Sequence, residues 1–112
     1  MKERFEIKFL EEASEFLDKL EEKARDKIIY NIDYVKFRNE KERFKKLSDE
    51  IWEFRTLFKK KYYRLFAFWD KTSKVETLVI ATHGIIKKSK KTPKSDIQKA
   101  ENIRNQYLKI KQ

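Results

Sequence analysis

The chain has 112 residues, and its 29 lysines and arginines against 19 aspartates and glutamates give a formal net charge of +10. That length is expected to form one compact domain over residues 1–112 and excludes a second. The sequence has no cysteine, which excludes a disulfide framework, a thiolate metal site and a cysteine nucleophile.

Hydrophobic residues make up 39% of the chain and aromatics 14%, enough apolar surface for a core. No apolar run reaches the roughly 18 residues of a membrane-spanning helix, and MKERFEIKFLEE lacks the apolar centre of a signal peptide, so a cytoplasmic location without membrane contact is expected. Before Phe54 there are 13 basic and 15 acidic residues; after it there are 16 basic and 4 acidic. All the excess charge therefore lies in the second half. A field of one sign on a small domain attracts an oppositely charged partner, with nucleic acid first among the candidates.

The segment from Arg4 to Phe9 alternates with period two, as a short strand does. From Leu10 the period changes. Leu10, Ala13, Leu17, Leu20, Ala24, Ile28, Ile32 and Val35 recur at steps of three or four, with Phe16 and Ile29 widening the stripe, which predicts helix to about Phe37. A single helix of that length would be roughly 40 Å long, too long for the domain, so a hairpin breaking between Leu20 and Lys23 is expected. Residues Arg38 to Ser48 read as a connection. Three strands follow, Ile51 to Phe58, Tyr62 to Trp69 and Val75 to His83, with Gly84 where the last must end. Pro93 precedes a final helix with Ile97, Ala100, Ile103 and Leu108 as its apolar stripe, Thr92 or Ser95 as its cap and Asp96 near the positive end of its dipole. The predicted fold is α+β in the order β-α-α-β-β-β-α.

Arg55 and Arg64 are lone cations in apolar strands, and burying either without a partner would be expensive. Each either pairs with a carboxylate, for which Glu53 is the local candidate, or projects towards an anion such as phosphate. The densest signal is HGIIKKSKKTP, which joins His83 to Lys87, Lys88, Lys90 and Lys91. A histidine there could transfer a proton near neutrality while lysines stabilise a pentavalent phosphate. The alternative is a solvated loop in which His83 only makes a hydrogen bond at the strand end. One histidine without cysteine or clustered carboxylates supplies no ligand set, so neither a metal nor a cofactor is expected. Tyr62, Tyr63, Trp69 and Tyr107 could stack on bases if exposed.

The run IWEFRTLFKKKYYRLFAFWD, followed by LVIATHGIIKKSKKTPKSDIQKAENIRNQYL, resembles the phage-derived group of the RelE/ParE toxin superfamily, which includes the HigB-type toxins of type II toxin–antitoxin systems. The helical region adds Phe16-Leu17, Leu20, Lys27-Ile28 and Ile32 to that likeness. The resemblance implies a RelE-like fold, a small, mostly antiparallel sheet with a helical hairpin on one face and a C-terminal helix. It also implies an endoribonuclease that cuts messenger RNA on the ribosome by metal-independent attack of the ribose 2′-OH. Arg55, Arg64, His83 and Lys87 would then be catalytic, with Tyr63 and Tyr107 in reserve. Lys60, Lys61, Tyr63, Lys88, Lys90 and Lys91 would hold RNA or the ribosome. The partners would be messenger RNA, the ribosome and a cognate antitoxin of helix-turn-helix type, in a heterotetramer. Gyrase inhibition of ParE type and passive nucleic-acid binding are the alternatives.

Overall fold

The computed structural model describes residues 3–72 and 78–111. Among them the elements are β1 (Glu6–Phe9), α1 (Glu11–Asp18), α2 (Glu22–Phe37), β2 (Phe44–Lys46), β3 (Trp52–Phe58), β4 (Lys61–Asp70), β5 (Leu78–Lys87) and α3 (Lys94–Lys111). The fold is α+β, with a five-stranded sheet ordered β1-β5-β4-β3-β2. β1 runs parallel to β5, and the other pairings are antiparallel. No helix among the described residues is long and apolar enough to cross a membrane.

The periodic stripe of the hairpin is what the fold buries. Ala13 and Leu17 of α1 and Ala24, Ile28, Ile32 and Val35 of α2 pack with Phe5, Phe54, Leu65 and Val79 on one face of the sheet. Ile29, expected to widen the stripe, is exposed instead. The break falls between Asp18 and Glu22, where the size of the domain demands it. On the other face Ile51, Phe66, Phe68 and Ile80 meet Ala100 of α3, with Ile97 and Tyr107 packed around them. Strand alternation thus sends Phe54 to the hairpin and Phe66 to α3.

Two expectations need correction. The connection from Arg38 to Ser48 contains β2, which pairs Phe44 with Phe54 and Lys46 with Trp52. Its three residues are too few to show an alternation, and it forms because Phe44 stacks between Trp52 and Phe54, at centroid distances of 4.8 and 4.3 Å. Gly84 does not end the last strand: it pairs with Leu65, and β5 runs on to Lys87. A Cβ at position 84 would overlap the ring of Phe16, so glycine lets α1 approach the sheet rather than turning the chain. The expected start of that strand at Val75 lies outside the described residues.

A β-bulge interrupts the pairing of β4 with β5. Leu65 faces Gly84 whereas Ala67 faces Ala81, so Phe66 alone spans Thr82 and His83. The extra residue shifts the alternation by one. Counting from Ile80, regular pleating would turn His83 towards the hairpin; with the bulge, His83 and Ile85 lie on the side of α3. At the other end of the sheet Lys59 and Lys60 join β3 to β4, with φ of 49° and 65°. Such a two-residue hairpin favours glycine or asparagine, and lysine is strained there.

Candidate nucleic-acid interface

Pairing sets Arg55 opposite Arg64, and Glu53 is wholly buried between their two guanidinium groups. Arg64 Nε lies 3.1 Å from Glu53 Oε1, and Arg55 Nη2 lies 2.9 Å from Oε2. Thr92, expected as a helix cap, instead donates its hydroxyl to the same carboxylate at 3.0 Å. The side chain of Arg64 is 0% exposed; its Nη1 donates to the carbonyl of Ser89 at 3.1 Å and its Nη2 to that of Lys90. Burial lowers its pKa and the charge of Glu53 opposes the shift, but a guanidinium starts high enough to stay protonated at neutral pH. Arg64 was expected at the scissile phosphate. In the folded chain carbonyl oxygens of the loop take both of its amino groups, while its Nε faces Glu53 as an ion pair without a hydrogen bond, and its work is to hold the loop of residues 88–93 against the sheet.

The expectation for His83 is corrected in the same way. It lies inside β5 rather than in the basic loop, is 1% exposed and stacks on Phe66 at 4.6 Å. Its Nε2 is 3.3 Å from Asp96 Oδ1 in the first turn of α3, and its Nδ1 is 3.1 Å from Thr82 Oγ1. Burial pushes its pKa below the ordinary value, against the hydrogen bond with Asp96 and with the help of Lys99. The ring is therefore neutral at neutral pH, enclosed beneath α3, and ties that helix to β5.

The aromatic candidates divide. Tyr63, expected to face RNA, is 7% exposed in the core under the hairpin, and Trp69 packs against the same core. Tyr107 donates its hydroxyl to Asp70 at 2.6 Å, and Lys111 donates at 2.7 Å. Burial raises the pKa of Tyr107, and its bond to Asp70 adds to that. Burial would also raise Asp70, but hydrogen bonds from Lys111, Thr72 and Tyr107 hold it well below the usual carboxylate range. This clasp fixes the end of α3 to β4. Tyr62 remains at the surface, half-buried, 5.3 Å from the guanidinium carbon of Arg64.

The lysines lie at the surface. Lys60, Lys61, Lys87, Lys88, Lys90 and Lys91 are all exposed. Phe58 pairs with Lys61 and Tyr62 with Lys87, so two lysine runs far apart in sequence meet at one end of the sheet. A cleft of about 370 Å³ opens beside them, lined by Lys27, Arg43, Arg55, Tyr62 and Lys90 together with Glu40 and Glu42. The side chain of Arg55 is 18% exposed, and its Nε–H is buried with no acceptor among the described residues. Arg55 therefore pairs with Glu53 and also lines an open cleft. Lys27, Arg43, Glu40 and Glu42 were missed, because nothing in their spacing separates them from other charges on solvated faces.

No curated protein and no solved structure matches the chain. The model of the phage-derived Gp49-like proteins matches residues 15–105, from within α1 to within α3. The chain belongs to the phage-derived Gp49-like protein family.

Proposed function

We propose that this protein is the toxin of a type II toxin–antitoxin pair, of RelE/HigB kind, and that it cuts messenger RNA on the ribosome. The observation that carries the reading is the meeting of the two lysine runs beside a cleft holding Arg55, Tyr62 and Lys90. Such a surface attracts the RNA backbone and positions a phosphate. Membership of the Gp49-like family is compatible with a toxin of this kind.

In this reading the ribose 2′-OH attacks the adjacent phosphate. The 2′-O–P bond forms as the P–O5′ bond breaks, leaving a 2′,3′-cyclic phosphate and a 5′-hydroxyl. Of the two arginines expected at the phosphate, Arg55 keeps that role, because its guanidinium is partly exposed and lines the cleft whereas that of Arg64 is enclosed. Glu40 and Glu42 line the cleft and replace His83 as acceptors of the 2′-OH proton, while Lys90 returns a proton to the leaving oxygen. Lys60, Lys61, Lys87, Lys88 and Lys91 neutralise backbone charge around the site. A lysine gives up its proton reluctantly at neutral pH, so orientation by the ribosome supplies the remaining factor, roughly 7–11 kcal/mol of the barrier. An antitoxin of helix-turn-helix type, presenting acidic groups to the lysine end, restrains the activity within a heterotetramer.

In-vitro translation with primer-extension mapping tests this directly. The wild type should cut messenger only when ribosomes are present, and Glu42→Gln should cut about 100-fold more slowly. Intact messenger together with inhibited DNA supercoiling by gyrase would overturn the reading in favour of gyrase inhibition. Intact messenger with RNA binding alone would leave a passive binder.

A further inference from the structure

We propose that the outer edge of the sheet, along β2, is a track for a single-stranded RNA flank, with Trp52 as the platform on which a base stacks. The inference rests on the reading above that the chain handles RNA, and it concerns residues which that reading does not use. A second cleft, of about 530 Å³, runs along this edge and is lined by Lys41, Lys45, Lys46 and Trp52 among others. It shares Arg55 and Glu42 with the first cleft. A strand whose phosphate sits at Arg55 can therefore continue over β2 without leaving a basic surface.

The aromatic platform is prepared by the fold. Phe54, Phe44 and Trp52 form a run of stacked rings, with interplanar angles of 16° and 28°. Phe54 is buried at the inner end, and Trp52 is half-buried at the outer end, where it lines the cleft. Trp69 meets Trp52 edge-on at 6.2 Å and fixes the indole. A base added to the outer end would extend the stack, and stacking of this kind accepts any base. Lys45 and Lys46 are exposed on β2, where they neutralise backbone phosphates as in other single-strand grooves. An added peptide strand is the poorer occupant, because β2 has only three residues and lysines on a short edge strand discourage strand pairing.

Fluorescence anisotropy with a fluorescein-labelled octauridylate, read over a range of salt concentrations, tests the track. Lys45→Glu/Lys46→Glu should weaken binding at least tenfold and flatten the dependence of log affinity on log salt by about 0.7 for each lysine. Trp52→Leu should weaken binding and leave that slope unchanged. Because Lys45 and Lys46 are exposed, their variant keeps the test independent of folding. Wild-type affinity in the lysine variant would overturn the proposal. So would an equal loss in Lys23→Glu/Lys109→Glu, two exposed lysines on the helices, or equally tight binding of a fluorescein-labelled octaglutamate.

The same variants in the ribosome assay separate the two readings. Octauridylate held through Lys45 and Lys46 by a protein that cuts no messenger keeps the track and removes the nuclease. Wild-type cutting and wild-type oligonucleotide binding by the lysine variant remove the track and keep the nuclease.

Discussion

Beneath the helical hairpin the sheet is covered by hydrocarbon: Leu17, Ile28, Ile32 and Val35 press on Phe54, Leu65 and Val79, with Asn31 bonded to Thr56 at 2.9 Å as a buried polar pair. Beneath α3 the small apolar cluster is flanked by buried Glu53, Arg64, His83 and Asp70, each held by a hydrogen bond or ion pair. The contrast follows from the two kinds of force. Apolar burial is non-directional and needs only a stripe of the right period, so the hairpin is placed by periodicity. Buried charge needs particular partners at particular distances, and those partners, Ser89, Lys90, Thr92 and Asp96, lie in the loop and first turn that carry or follow the lysines. The ionic face therefore fixes the loop that the proposed function uses.

The comparison breaks most sharply at Arg64. Arg64→Ala leaves the buried Glu53 short of its fully enclosed cation and should cost about 3–5 kcal/mol of stability, read by urea denaturation. It should also free the loop of residues 88–93, so that any loss of RNA affinity comes through position rather than contact. On the hairpin face Ile28→Ala should cost about 2–4 kcal/mol through its cavity, with the same cost at pH 5 as at pH 8. A large pH dependence of that cost would contradict the division between the faces.

Acidification should sharpen the contrast. Burial lowers the pKa of His83 in the folded state, so below the ordinary histidine value of about 6.5 the unfolded chain binds more protons than the folded one. Stability should fall as the pH drops through that range. Asp70, held low in the folded state, contributes stability at neutral pH that is lost at lower pH, as the carboxylate range is crossed. Thermal melting of the wild type beside His83→Gln, at intervals from pH 8 to pH 2, separates the two steps. The smallest effect is a gain. Lys59→Asn/Lys60→Gly removes two strained lysines from the β3–β4 turn and should raise stability by about 1–2 kcal/mol. The same variant should bind RNA more weakly, since two charges leave the lysine end.

What the sequence disclosed follows the same division. The hairpin stripe and the strand alternations are local periodicities, and they fixed the layers on which Phe54 and Phe66 lie. The bulge is a relation between two strands, so nothing in HGIIKK announces that His83 turns under α3. Arg55 and Arg64 look alike as lone cations in apolar strands; what distinguishes them is a loop whose Thr92 reaches Glu53 across 39 positions. The lysine runs are plain as composition, whereas their meeting depends on the pairing of Tyr62 with Lys87. β2 was hidden because a single buried phenylalanine in a polar stretch carries no period.

In the proposed function Arg55 meets the RNA while Arg64 supports the fold, and the cleavage rate of Arg55→Gln on programmed ribosomes tests that division directly. Glu53 keeps Arg64 and Thr92 in this variant and loses only its partly exposed partner, so the protein should fold and lose less stability than Arg64→Ala. Cutting should fall by about 100-fold or more. Wild-type cutting by a folded Arg55→Gln protein would contradict the account.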